Sequence, residues 1–142
     1  MKRFLSFLLA SIILFANACF ISSCGHNSSK CLVYEINVGG EDCSVIGVHN
    51  CMETNIVIPQ KYKGKPVTRI GEKAFTNFEA LESIVIPLSI KNIDDQAFEN
   101  CRDITIYYEG TIEQWKKIMF GFQPFSPYYT QIIICSDGSF ER

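Results

Sequence analysis

Ala97–Cys101 reads "AFENC", and Ala74–Phe78 reads "AFTNF". The two stretches stand 23 positions apart, and the spacing extends beyond them. Ile70, Ala74, Phe75, Asn77, Phe78 and Leu81 are answered by Ile93, Ala97, Phe98, Asn100, Cys101 and Ile104. A fixed period of roughly 20–50 residues marks a chain built from stacked coils. Upstream, "IVIP" at Ile56–Pro59 recurs at Ile84–Pro87, 28 positions on, so five extra residues fall in the loop "QKYKGKP". The period also gives Cys101 a meaning. It stands in the slot that Phe78 fills, so it is expected to point into the stack as a small apolar residue rather than to react or to form a disulfide.

Each unit reads as a coil. "NIVIP" and "SIVIP" are short β-branched strands ended by proline. "VTRI" and "IKNI" alternate apolar and polar residues, as a second extended segment with one buried face does. "GEKAF" and "DDQAF" predict a tight turn or a single helical turn with Ala and Phe inward. Gly71 and Asp94, at matching positions, tolerate left-handed backbone. Asn77 and Asn100 are expected to bond neighbouring backbone in the bend. The repeat positions assigned to the packed wall are Ile70, Ala74, Phe75, Asn77, Phe78, Ile93, Ala97, Phe98, Asn100 and Cys101. One coil cannot bury its apolar side alone, but stacked coils can, each strand pairing in parallel with its counterpart in the next coil.

The run from "VTRIGEKAF" through "LESIVIP", "SIKNIDDQAFENC" and "DITIYY" resembles the BspA-like leucine-rich repeats, a family of 23-residue repeats found in bacterial surface proteins. "TNIVIPQKYKGKPVTRIG" resembles that family's opening repeat, and "YYEGTIEQWKKI" with "IIICSDG" resembles the segment that closes many of its arrays. The resemblance spans roughly residues 32–138. Isoleucine fills most core slots in place of leucine. The fold implied is a short leucine-rich repeat solenoid, β-rich with parallel strands. The function implied is a bacterial cell-surface binding or adhesion module.

An uncapped solenoid exposes apolar edges. "CLVYEINVGGEDCSVIGV", with Gly39-Gly40 at its middle, predicts an N-terminal β-hairpin cap. At the other end Thr111 and Gln114 have capping-box spacing. Ile112, Trp115, Ile118, Met119 and Phe122 then recur at helical spacing, predicting a helix-plus-strand cap with Trp115 as its anchor on the last coil. "QIIIC" (Gln131–Cys135) is the closing strand, "SDG" a turn, and residues 139–142 a frayed tail.

The chain of 142 residues begins with two basic residues and an apolar run from Phe4 to Ile21. This pattern belongs to secretory signals. "ISSC", Ile21–Cys24, resembles the lipobox of bacterial lipoproteins, which implies cleavage before Cys24 and lipid attachment to its thiol. Residues 1–23 are then the signal peptide, 24–31 a flexible tether and 32–138 the repeat domain with its caps. The lipid is the only membrane contact expected.

Removing Lys2 and Arg3 from the 13 cationic residues leaves 11 against 15 acids, a body of about −4. That balance argues against nucleic-acid binding, and the lysines of "QKYKGK" read as a solvated loop. The cysteines lack a CxxC spacing, so no metal site is expected, and no cofactor motif is present. Disulfide pairing among Cys31, Cys43, Cys51, Cys101 and Cys135 stays open, although the first three lie near the N-terminal cap. His49 and Cys51 form a conceivable catalytic pair, but the plainer reading is a surface histidine beside a half-buried or bonded cysteine. No enzyme activity is expected. Binding remains, with an unidentified host, matrix or bacterial envelope protein as partner. Two stretches are candidate recognition surfaces: the inserted loop with Tyr62, Lys63 and Lys65, and the aromatic run with Phe120, Phe122, Phe125, Tyr128 and Tyr129. The second run is either an exposed patch or a lid over the last coil, and the lid is the working expectation.

Overall fold

The computed structural model describes residues 30–142. The expected signal peptide, the expected lipid-attachment residue Cys24 and most of the expected tether lie outside the described residues. Within them the chain winds into a β-solenoid of about four turns. One sheet runs through its coils from β3 (Asn55–Val57) to β6 (Ser83–Ile86), β8 (Thr105–Tyr108) and β10 (Ile132–Cys135), all parallel. The other runs from β2 (Cys43–Val48) to β5 (Lys65–Ile70), β7 (Asn92–Ile93) and β9 (Met119–Phe120), again all parallel. At opposite ends of the stack each sheet is closed by an antiparallel strand. β1 (Leu32–Ile36) pairs with β2, and β11 (Gly138–Glu141) pairs with β10.

Strand alternation explains the core. Ile56, Ile84, Ile106 and Ile133 sit in register on one sheet and are fully buried. Val45, Ile70 and Ile93 do the same on the other, with half-buried Phe120 completing the row. At the edge where the chain turns back from the second sheet to the first, Phe75, Phe98 and Phe125 stack with centroids 5.2 and 5.4 Å apart and rings within 7° of parallel. Burying each such ring contributes about 1.5–3 kcal/mol.

The stack of phenylalanines reveals a third repeat that the spacing of 23 conceals. Phe125 bridges Phe98 as its parallel partner, and Met119-Phe120 pairs with Asn92-Ile93. The offset here is 27. The predicted helix is correspondingly cut short. Only α1 (Ile112–Trp115) is helical, because the chain must straighten at Met119 to join the sheet. Met119 and Phe122, expected on the buried helix face, are exposed instead. The capping box at its start is present: Thr111 Oγ1 accepts from Gln114 N, and Gln114 Oε1 accepts from Thr111 N.

Three further expectations are corrected. Residues 139–142 do not fray as a tail, because Ser139–Glu141 form the returning strand of the last hairpin and Arg142 exchanges backbone bonds with Gln131. Left-handed backbone occurs not at Gly71 and Asp94 but two positions later, at Lys73, Gln96 and Gln123, with φ of 55, 53 and 44°. Gly71 is small for another reason: a Cβ there would lie 3.2 Å from the Val45 carbonyl oxygen. Asn77 and Asn100, assigned to the packed wall, are exposed with φ of 59 and 58°. They bond each other across coils, Asn100 Nδ2 donating to Asn77 Oδ1 at 2.8 Å, rather than local backbone. Phe78 is half-buried where its counterpart Cys101 is fully buried.

Candidate interaction surface

Each coil passes from the first sheet to the second through one corner. The first and third coils carry an insertion at that corner. Fourteen positions separate Asn55 from its second-sheet counterpart Arg69, and fourteen separate Thr105 from Met119. Only nine separate Ser83 from Asn92. In the first coil the extra residues form a small hairpin, β4 (Lys61–Tyr62) returning against β5. Lys63 and Gly64 make its turn, both with positive φ, as a two-residue hairpin loop requires. In the third coil the extra residues form α1 and the turn after it. The two insertions touch over the short middle coil, Gln60 Nε2 donating to Glu109 Oε2 at 3.2 Å.

The candidate residues divide between these elements. Tyr62 is half-buried and stacks on Tyr34 at 3.9 Å. Lys63 is exposed, its ammonium 5.2 Å from the Tyr62 ring centre. Lys65 Nζ donates to the Gly40 carbonyl, tying the insertion to the tip of the N-terminal hairpin. The Tyr34 hydroxyl beneath is buried, which pushes its pKa up to about 12. The aromatic run is split rather than wholly patch or lid. Phe125 is buried and Phe120 half-buried, both packed against buried Trp115, so neither belongs to an open recognition surface. Arg142 lies over both rings, 5.3 and 5.1 Å from their centres. Phe122 and Tyr128 are exposed, and Tyr129 is intermediate.

The cysteines sort by burial and pairing. Cys31 and Cys51 are joined as a disulfide, which settles the pairing left open and removes the Cys51 thiol from any partnership with His49. His49 is exposed, its Nε2 3.1 Å from Asn50 Nδ2. Cys43, Cys101 and Cys135 are unpaired and buried. The Cys101 Sγ lies 3.1 Å from the Phe75 carbonyl oxygen, and burial pushes its pKa up to about 12. Burial likewise pushes Cys135 up to about 11. Such thiols stay protonated and are poor nucleophiles. Asp94 and Asp95 diverge into separate roles: Asp94 meets Arg69 at 3.4 Å, and Asp95 accepts from the Phe122 amide in the next coil. Among the described residues no group of three His, Cys, Asp or Glu side chains is placed to hold a metal, and no helix is long and apolar enough to cross a membrane.

Comparison with known proteins gives two findings. A family model described as the BspA type leucine-rich repeat region (6 copies) matches residues 48–131. The crystal structure of a T. pallidum leucine-rich repeat protein is similar, with a TM-score of 0.52 and 19% sequence identity over 58% of this chain. The match covers 42% of that protein, so this chain spans well under half of its length. No curated protein matches.

Proposed function

From the premise that the chain belongs to the BspA type leucine-rich repeat family, we propose that it is an exported, lipid-anchored protein-binding module of the bacterial cell surface. The repeat family supports a protein-interaction role in general, and its members are often bacterial surface proteins. The observation that carries the reading is the pair of corner insertions. Tyr62 and Trp115 tie the insertions to the core, while the exposed side chains of Lys61, Lys63, Lys116 and Lys117 stand outside it and can change without disturbing it, as binding segments on a rigid scaffold do. Export is supported by the apolar leader and by the Cys31–Cys51 bond, a linkage that oxidising compartments favour. Anchoring is supported by "ISSC" ahead of Cys24, with multiple acyl chains giving firm attachment.

Two measurements test this. Cys24→Ala, or inhibition of the lipoprotein signal peptidase, is expected to leave an unprocessed precursor and to change membrane fractionation. Unaltered size and fractionation would remove the anchor from the proposal. Affinity capture with the whole protein, against host matrix proteins and against the native envelope, is expected to recover a protein partner. Capture from the envelope alone would make it an envelope interaction partner rather than an adhesin. Failure to capture anything, with a poorly folded body, would favour a truncated relic of a longer array.

A further inference from the structure

We infer that the saddle between the two corner insertions is the docking site, and that it takes an acidic segment of protein chain bearing an apolar side chain. The inference rests on the protein-binding reading and names the place and the chemistry. The hairpin insertion forms one wall and α1 with its following turn the other. The short corner of the middle coil, Pro87–Lys91, lies between them as a floor. At its centre Leu88 is 47% exposed. Beside it the Ser89 hydroxyl is buried and lacks a hydrogen-bond partner among the described residues.

Charge is distributed unevenly around the coil. Six of the 11 cationic side chains after the signal fall on this corner: Lys61, Lys63 and Lys65 on one wall, Lys91 on the floor, Lys116 and Lys117 on the other wall. Glu109, which accepts from Gln60 across the floor, and Glu113, engaged by Lys116 at 2.8 Å, accompany them on these segments, Asp137 accepts from the Ile112 amide at the start of α1, and Asp42 on the hairpin tip lies within electrostatic reach of Lys91. Lys61, Lys63, Lys91 and Lys117 make no ion pair among the described residues. The opposite edge, where the turns at 71–82 and 94–103 stack, carries seven carboxylates against Lys73 and Arg102. The body's charge of about −4 therefore hides a net-positive corner, with six ammonium groups against four carboxylates, and an acidic ridge. Neighbouring coils stand ~4.8 Å apart. Lysines on successive coils thus act together within a screening length of about 8 Å at physiological salt.

The chemistry of the partner follows. Ammonium groups on flexible stems meet carboxylates without demanding the planar geometry that guanidinium imposes. The exposed Leu88 at the centre gives an apolar side chain somewhere to sit, as the buried anchor of a protein interface requires. A polyanion without apolar groups leaves Leu88 unused. A membrane surface is disfavoured by topology. β1 runs antiparallel to β2 and reaches the corner at its far end, Ile36, so Lys30, where the chain leaves toward Cys24, lies at the opposite end of the strand.

Full-length protein held in nanodiscs of zwitterionic lipid is titrated with a fluorescein-labelled peptide in which glutamate pairs alternate with leucine. Heparin and phosphatidylglycerol vesicles of equal charge serve as competing ligands. The peptide is expected to bind, more weakly at higher salt, and to lose about tenfold in affinity in Lys63→Glu/Lys117→Glu and severalfold in Leu88→Ser. Glu72→Gln/Glu99→Gln on the acidic ridge is expected to leave binding unchanged. Thermal melting of each variant guards against unfolding. No binding of the peptide, tighter binding of heparin or vesicles, or equal loss in the acidic-ridge variant would overturn the inference. A captured natural partner that ignores the saddle variants would overturn the saddle and spare the protein-binding reading. Failure to capture any partner with wild-type protein would count against that reading itself.

Discussion

Cys101 shows how a repeat position overrides side-chain chemistry. A thiol beside Glu99 and Asn100 reads as reactive in isolation. In the fold it is fully buried, 3.1 Å from a carbonyl oxygen, with its pKa pushed up to about 12. Alkylation at pH 8 under native, non-reducing conditions is expected to leave Cys43, Cys101 and Cys135 unmodified, and denaturant to expose all three, as read by peptide mass spectrometry. Early labelling of Cys101 would contradict its place in the wall. Phe98 lies between Phe75 and Phe125, and Phe98→Ala is expected to cost about 3–5 kcal/mol in chemical denaturation. Asp42 gives a pH signature. Hydrogen bonds from Thr68 and Asn37 hold its carboxyl below the usual carboxylate range. A depressed folded value means its stabilisation is complete above the ordinary pKa and is lost as pH falls through the folded one. Asp42→Asn is therefore expected to flatten the fall in Tm between pH 5 and pH 2.5.

At the scale of elements, the third coil depends on one glycine. A Cβ on Gly121 would stand 2.5 Å from the Asp95 amide nitrogen and 2.8 Å from the Asp94 carbonyl carbon. Both are backbone atoms of the preceding coil, so no rotamer change relieves the clash. Gly121→Ala is expected to destabilise by about 1–3 kcal/mol and to loosen β9 and the Phe122 turn first, as read by hydrogen exchange. The one-turn helix has the opposite character. Its capping box satisfies two backbone donors that a helix this short cannot satisfy internally, and Thr111→Ala is expected to cost about 1 kcal/mol. Helical spacing misled for Met119 and Phe122 because periods of 3.6 and 2 agree over short runs. Only the pairing of β9 with β7 distinguishes them.

Across the whole molecule, stability passes from coil to neighbouring coil, as in other solenoids. The N-terminal hairpin is held by β2 pairing with β5 and by the Cys31–Cys51 bond, which closes a separation of 20 residues. Replacing both cysteines with serine is expected to cost about 3 kcal/mol. The loss is expected in amide protection of β1 and β2, with the coils from β6 to β10 retaining theirs. Uniform loss across all coils would mean that the body unfolds as a single cooperative unit. The division of charge between the corner and the acidic ridge is also a property of this scale, because it arises from residues up to 56 positions apart brought to one edge by coiling.

The sequence alone determined the coil. Isoleucines and phenylalanines at a spacing of 23 demand stacking, since no single coil buries them, and the inward slot of Cys101 and the anchor role of Trp115 were legible for that reason. Only the tertiary structure decided the rest. The third coil was hidden because an insertion shifts its period to 27 and leaves too few matching residues to register. The disulfide pairing, the returning strand at residues 138–141 and the split of the aromatic run depend on which backbone lies alongside which. The saddle was illegible because its lysines look like ordinary solvated charge until strand pairing sets two insertions on either side of a short coil. Local patterns encode which face of a segment is buried, whereas the meeting of distant segments is set by the register in which the coils stack.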